Sequence, residues 1–154
     1  MNFRKFLQEE RVRSLPLKEP AVVDSHTLVR AAIAAMRTKS LGCAVILGPQ
    51  QQPLGVFTEH AVVGLLEKSV PLDSTAVSAC ADPEFHVVKL DDPIAKVWSA
   101  VQSGARFVCV VDDQQQLVGL TGQRGLAEFV CECFAREIAV QRLSSPQMKT
   151  REGA

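Results

Sequence analysis

Apolar residues occur along this chain in short continuous runs that alternate with stretches of helical spacing, which predicts a regular order of strands and helices. In the first half we expect a strand, a helix, two strands and a second helix. They are predicted at residues 21–23, from 27 up to a stop at Gly42, at 43–47, at 54–57 and at 59–68. Thr58 is the predicted N-cap of the second helix.

The second half repeats this order after a turn-like segment at residues 77–80. Its elements are predicted as a strand at 86–90, a helix from Pro93 to near Gly104, strands at 107–111 and 117–121, and a helix at 124–141. One stripe of the last helix is apolar and is expected to face the core. It consists of Leu126, Phe129, Val130, Cys133, Phe134 and Ile138.

The repeat is visible in the sequence itself, because residues 44–56 return in similar form as residues 108–120. Each stretch holds a buried strand, a polar turn with three glutamines and a strand that opens on an apolar–glycine pair. We predict an α+β fold (an α/β-type repeat) of two β-α-β-β-α motifs, packed about a pseudo-two-fold axis because neither is large enough to bury its apolar faces alone. The predicted units are an N-terminal helical segment at 1–11, motifs at 12–69 and 70–143, and a frayed polar tail at 144–154.

Composition narrows the function classes. Lysine plus arginine and aspartate plus glutamate both total 17 in 154 residues, so no basic footprint for nucleic acid is present. No apolar run is long enough to span a membrane, and no signal-peptide core begins the chain. Five cysteines without disulfide-framework spacing indicate reduced thiols. We expect a cytoplasmic protein, and because no catalytic triad, carboxylate pair or P-loop is readable, we do not expect an enzyme.

Three stretches, 27–36, 53–60 and 117–124, resemble the sequence pattern of the cystathionine β-synthase (CBS) domain. The central feature is glycine, two apolar residues, Thr-Glu and then a helix. The ordered set occurs twice and covers about residues 12–141, so the chain resembles a tandem CBS pair, or Bateman module. The resemblance implies a regulatory module that binds AMP, ADP, ATP or S-adenosylmethionine between its motifs. It also implies a homodimer through helical faces and a protein partner that the sequence does not identify.

In ligand-binding CBS domains a Ser or Thr after the second strand contacts phosphate at a helix N-terminus, and an Asp three residues later holds the ribose hydroxyls. Here those positions are Thr58 and Ala61 in the first copy, and Gly122 and Gly125 in the second. Both ribose carboxylates are missing. Two charge-assisted hydrogen bonds of about 1.5–3 kcal/mol each are thereby lost unless other groups replace them.

Each candidate residue has a functional and a structural interpretation. Thr58 either contacts phosphate or caps its helix. His60 either meets a phosphate or is a solvated first-turn residue. Arg124 either helps the N–H groups before it hold an anion or is paired at the surface. Gly122 and Gly125 either permit close approach of a ligand or backbone, or mark a motif that has decayed.

Our first hypothesis from the sequence is a stand-alone sensor module with an adenosine-type ligand in at least one cleft. The candidate ligand-binding residues are Thr58, Glu59, His60, Val22, Val23, Ala44, Gly122 and Arg124. The second hypothesis is a ligand-free dimerisation or protein-interaction module. The third is a thiol-based redox sensor at Cys131 and Cys133. No metal site is predicted there, because residues two apart on a helix point away from each other.

Overall fold

A computed structural model describes residues 2–82 and 84–144. Of the tail predicted at 144–154, Ser144 is the last residue of a helix and the rest lies outside the described residues. The N-terminal segment forms helix α1. The first copy then forms β1, α2, β2, β3 and α3, and the second copy forms β4, α4, β5, β6 and α5. Their bounds are α1 Phe3–Glu9, β1 Ala21–Val23, α2 Val29–Lys39, β2 Cys43–Leu47, β3 Pro53–Thr58, α3 Glu59–Glu67, β4 His86–Lys89, α4 Ala95–Gln102, β5 Val108–Val111, β6 Leu117–Thr121 and α5 Gln123–Ser144.

The strands form two three-stranded sheets with the same topology. In each sheet the first strand pairs in parallel with the second, and the second pairs antiparallel with the third. A register shift occurs at equivalent places, between Ile46 and Leu47 and between Val110 and Val111. Gln51 and Gln115 both have a φ of 64° in the two glutamine turns. The repeat read from the sequence is therefore a repeat of backbone geometry, and the predicted α+β class is confirmed.

Element order agrees with the prediction, and strand ends differ from it by at most one residue. The larger differences lie at helix ends. Helix α2 ends at Lys39, three residues before the expected stop at Gly42, because Ser40 adopts the left-handed conformation. Helix α4 begins at Ala95 and not at Pro93. Pro93 is instead held in a β-bridge with Arg11, so it serves the approach to the helix and not its first turn.

The N-terminal segment packs on the second copy. The Phe3 ring meets Trp98 of α4 edge-on at a centroid distance of 5.2 Å, and the Phe6 ring stacks on Phe129 of α5 at 5.9 Å. Val12, just after α1, is fully buried in the same apolar cluster. Burying such side chains contributes about 1.5–3 kcal/mol each, so this segment is part of the second core.

In each copy the segment just before the first strand, which we call the lead-in, pairs with the sheet of the other copy. Lys18 forms an antiparallel bridge with Leu120 of β6, with two backbone hydrogen bonds of 2.8 Å. Asp82 forms the equivalent bridge with Val56 of β3, with bonds of 3.0 and 3.4 Å. The two bridges lie at matching positions of the repeat. This exchange holds the halves together at the edges of the sheets.

An apolar seam joins the two sheets between these bridges. Its buried residues are Cys43, Val45, Val56, Cys109 and Leu120. Burial raises the pKa of the Cys43 and Cys109 thiols to about 12, so both remain protonated and behave as small apolar side chains. The seam thus contains no reactive thiolate at neutral pH.

Helix α5 extends further than its packing does. Leu126 and Phe129 are buried as predicted, and Val130 and Cys133 pack at the edge of the second core. The prediction is wrong for Phe134 and Ile138, which are 36% and 49% exposed. The apolar periodicity continues there, but these two side chains face solvent in the described chain. Within residues 2–82 and 84–144, no helix is long and apolar enough to cross a bilayer.

Candidate functional site

Two clefts open at the seam between the copies. The first cleft has a volume of about 470 Å³ and lies at the N-terminus of α3, where Thr58, Glu59 and His60 line it. The second copy lines it with Asp82, Glu84 and Phe85 of its lead-in and with His86 at the start of β4. The first cleft is therefore built from both copies.

The second cleft is larger, with a volume of about 690 Å³, and lies at the N-terminus of α5. Gly122, Arg124 and Gly125 line it on one side, and Pro16 and Lys18 from the lead-in of the first copy line it on another. Residues 104–107 line both clefts. A ligand in either cleft would contact this shared wall.

Thr58 caps helix α3, as its structural interpretation predicts. Its Oγ1 accepts a hydrogen bond from the N–H of Ala61 at 3.2 Å and so caps α3. A hydroxyl that accepts one bond keeps its own proton for donation, so capping leaves a donor facing the first cleft. The two interpretations of Thr58 are therefore compatible.

Glu59 brings a carboxylate to the same helix end. Its N–H donates to the carbonyl of Gly42 at 3.0 Å. Its Oε2 lies 3.2 Å from the place where a Cβ on Gly42 would stand, so the side chain folds back over Gly42. His60 is exposed beside it on the edge of the cleft. Ala61, at the ribose-carboxylate position, offers no acceptor and packs against the first core.

The two glycines of the second copy are required by close backbone approach. A Cβ on Gly122 would stand 2.5 Å from the carbonyl oxygen of Arg106, closer than real atoms come. A Cβ on Gly125 would stand 2.8 Å from Thr121 Oγ1 and 3.1 Å from the carbonyl oxygen of Pro16. The place where a ribose carboxylate would project is therefore taken by the lead-in. Of the two interpretations for these glycines, close approach has a direct structural basis.

Arg124 lies in the second cleft and is also paired at the surface. Its Nε donates to Glu128 Oε1 at 3.1 Å, one helical turn away, with the Arg124 side chain 83% exposed. Exposed pairs of this kind contribute less than about 1 kcal/mol. The pairing therefore leaves Arg124 available to a ligand at low cost.

Three predicted residues lie in neither cleft. Val22 is exposed on β1, Val23 packs against the first core, and Ala44 is fully buried on β2. None of the three is among the residues that line either cleft, so the structure does not bring them together with Thr58. The repeat equivalent of Val22 is His86, and His86 does line the first cleft.

Cys131 is exposed and Cys133 half-buried on α5. Burial and the nearby Glu10 carboxylate raise the pKa of Cys133, which lowers the thiolate fraction that redox chemistry needs. No group of three or more potential metal ligands occurs among the described residues. The clefts are thus the strongest candidate sites in the described chain.

The sequence model of the CBS domain matches residues 12–68. No curated protein sequence is significantly similar to the chain. Among solved structures, a CBS domain-containing protein of unknown function from Bacillus anthracis has a TM-score of 0.71 at 16% identity. That alignment covers 84% of this chain and 98% of the other.

Two further structures contain ligands. The CBS domain protein PAE2072 from Pyrobaculum aerophilum, complexed with AMP, has a TM-score of 0.69 at 21% identity, covering 88% of this chain and 100% of that one. The CBS domain pair of protein MJ0100, in complex with 5′-methylthioadenosine and S-adenosyl-L-methionine, has a TM-score of 0.65 at 16% identity. It covers 83% of this chain and 98% of the other. At these identities the likeness establishes the fold.

Residues 12–68 therefore match the CBS domain, and the chain as a whole has the fold of a tandem CBS domain pair. The resemblance read from the sequence is confirmed at this level.

Proposed function

We propose that this chain is a regulatory CBS pair that binds an adenosine-type ligand in at least one of its two clefts. The observation that carries the proposal is that each cleft is built from both copies and opens at a helix N-terminus, where free N–H groups favour anionic or polar ligand groups. The AMP complex and the 5′-methylthioadenosine and S-adenosylmethionine complex of two proteins with this fold support the ligand class.

The mechanism follows from how the clefts are built. A ligand in the second cleft would touch the lead-in of the first copy at Lys18 and the start of α5 in the second copy. It would also touch the shared wall at residues 104–107. Binding therefore favours one arrangement of the two copies over others, and the surface offered to a partner changes with it.

Thermal unfolding with candidate ligands tests the proposal. AMP, ADP, ATP, adenosine, 5′-methylthioadenosine and S-adenosylmethionine should each be added at millimolar concentration. A ligand at about 100 times its dissociation constant adds about 2.7 kcal/mol, which raises the Tm of a domain of this size by several degrees. Equilibrium dialysis of the same compounds checks that a shift reports binding. No shift and no retention with any of them would exclude an adenosine-type ligand.

A second candidate function is a dimerisation or protein-interaction module, and exposed apolar side chains on two helices favour it. They are Val63 and Leu66 on α3 and Phe134, Ile138 and Leu143 on α5. Where such side chains form a contiguous patch, they mark a surface that another chain covers. Sedimentation of the full chain should then give a dimer, and Ile138→Glu should weaken it. A monomer at all concentrations would rule out self-association.

A further inference from the structure

The two clefts differ in charge at matching positions of their lead-ins. Lys18, bridged to Leu120, faces the second cleft, whereas Asp82, bridged to Val56, faces the first. The backbone pairing is the same in both places, so only the side chain distinguishes them. Lys18 forms no ion pair within the described part of the chain, so its ammonium is available to a ligand.

The helix N-termini differ in the same direction. The first two residues of α3 are Glu59 and His60, and the first two of α5 are Gln123 and Arg124. In the first cleft a carboxylate already occupies the positive end of the helix. In the second cleft that carboxylate is replaced by a neutral amide and followed by a guanidinium. A helix N-terminus without its own acid attracts an anion more strongly.

The charges lining the whole of each cleft follow this pattern. The first cleft has the carboxylates of Glu59, Asp82 and Glu84 against the guanidinium of Arg106. The second cleft has three cationic side chains against one carboxylate; they are Lys18, Arg106 and Arg124, with Glu128. Arg106 belongs to the shared wall and cannot cause the difference. The difference comes from residues that belong to one cleft only.

A buried polar group in the second cleft is a separate indication of a ligand there. Thr121 lines the cleft and is 5% exposed, and its hydroxyl has no hydrogen-bond partner among the described residues. Buried hydroxyls are normally paired. The equivalent place in the first copy holds Phe57, which is fully buried in the first core.

We propose that the clefts sort adenosine-type ligands by charge, so that the second cleft binds the phosphorylated ligand and the first excludes it. This inference rests on the proposed function. Phosphate oxygens would lie near Lys18, Arg124 and the N-terminus of α5. The missing ribose carboxylates make these phosphate contacts the main source of affinity, so binding should increase with phosphate number. The CBS resemblance implies that Thr58 contacts phosphate. Thr58 lies in the first cleft, whose carboxylates repel a phosphate group.

Titration calorimetry with ADP and adenosine tests the sorting. ADP should bind one site per chain, more tightly than adenosine. Its affinity should fall as salt rises from about 0.1 M to about 1 M, where the Debye length shrinks from about 10 Å to about 3 Å. Gln123→Glu gives α5 the carboxylate that α3 has, and should weaken ADP about tenfold. Because an acid in the first turn stabilises a helix, lost binding by this variant does not reflect unfolding.

Lys18→Gln should also weaken ADP several-fold. Lys68→Gln, at the exposed C-terminal end of α3 and outside the lining of both clefts, is the matched control that should leave ADP binding unchanged. Unchanged ADP affinity in both Gln123→Glu and Lys18→Gln would overturn the sorting. So would adenosine binding as tightly as ADP, while the proposed function would stand. If neither compound binds, nor any other adenosine-type ligand, the proposed function fails and the sorting with it.

Discussion

The two clefts are equivalent in backbone and opposite in chemistry. Both are formed by a lead-in from one copy and a strand–helix junction from the other, and both share residues 104–107. Yet Thr58 caps its helix in one, while Gly122 lies against a backbone carbonyl in the other. Duplication therefore preserved the positions that determine the fold, and the positions that face a ligand diverged in residue type and in charge.

This comparison changes what a missing motif residue means. Gly122 lacks the hydroxyl expected from the CBS pattern, and from the sequence alone it resembles decay. In the structure the glycine is needed because the carbonyl of Arg106 occupies the place of a side chain. The second cleft is a differently built site, with its polar groups on the lead-in and on α5.

The largest expected effect is a difference in stability between two glycine-to-alanine variants. Gly122→Ala should destabilise the protein by about 2–3 kcal/mol, because its Cβ would meet the Arg106 carbonyl oxygen at 2.5 Å. Gly64→Ala is the matched control, since nothing lies within 4 Å of a Cβ there. It should stabilise the protein by about 0.5–1 kcal/mol through helix propensity. Urea unfolding measures both.

If Gly122→Ala leaves the free energy of unfolding unchanged, the Arg106 carbonyl does not lie close to residue 122. Gly122 would then be better explained as part of a decayed motif. A destabilised Gly64→Ala would indicate that α3 packs against another surface in solution, as the dimerisation hypothesis expects. The two outcomes are therefore independent.

The strands were predictable from sequence because their signals are local. Residues 43–47 and 117–121 are apolar runs next to polar turns, and the observed β2 and β6 have these same bounds. The helix ends were less predictable from the sequence. Helix α2, for example, ends because Ser40 adopts a left-handed conformation that serine seldom takes.

The lining of the clefts depends on contacts between residues far apart in the chain. Lys18 meets β6 and Asp82 meets β3 across the seam, and no local periodicity reports such an exchange. For this reason the sequence predicts Val22, Val23 and Ala44 for the first cleft, whereas residues 82 and 84–86 of the second copy are among those that line it. Applying the repeat offset to Lys18 and Asp82, and comparing their charges, was the signal that could have revealed it.

Two threonines should respond in opposite directions to the same substitution. Thr58→Val removes the cap of α3 and should cost about 1 kcal/mol. Thr121→Val removes a buried hydroxyl that has no partner in the described chain, and should stabilise the ligand-free protein by about 1 kcal/mol. Unfolding in urea without ligand gives both values.

If Thr121→Val is destabilising instead, the hydroxyl has a partner in solution and its use as an indication of a ligand is lost. Repeating the measurement with ADP adds a second reading. The ligand-induced gain should be smaller in Thr121→Val than in the parent protein if the hydroxyl bonds to the ligand.

The smallest expected effect on stability concerns the glutamine turn that both copies contain. Gln51 and Gln115 both adopt a φ of 64°. A left-handed residue other than glycine costs about 1–2 kcal/mol, and glycine gives back about 0.5–1 kcal/mol of this through its larger freedom when unfolded. Gln51→Gly and Gln115→Gly should therefore each stabilise by about 0.5 kcal/mol, or about 1–2 °C in Tm. Equal shifts would mean that the turns remain energetically equivalent while the clefts do not. Unequal shifts would extend the divergence to the backbone, and would point to the bond that the Gln51 carbonyl accepts from the N–H of Leu117 at 2.9 Å.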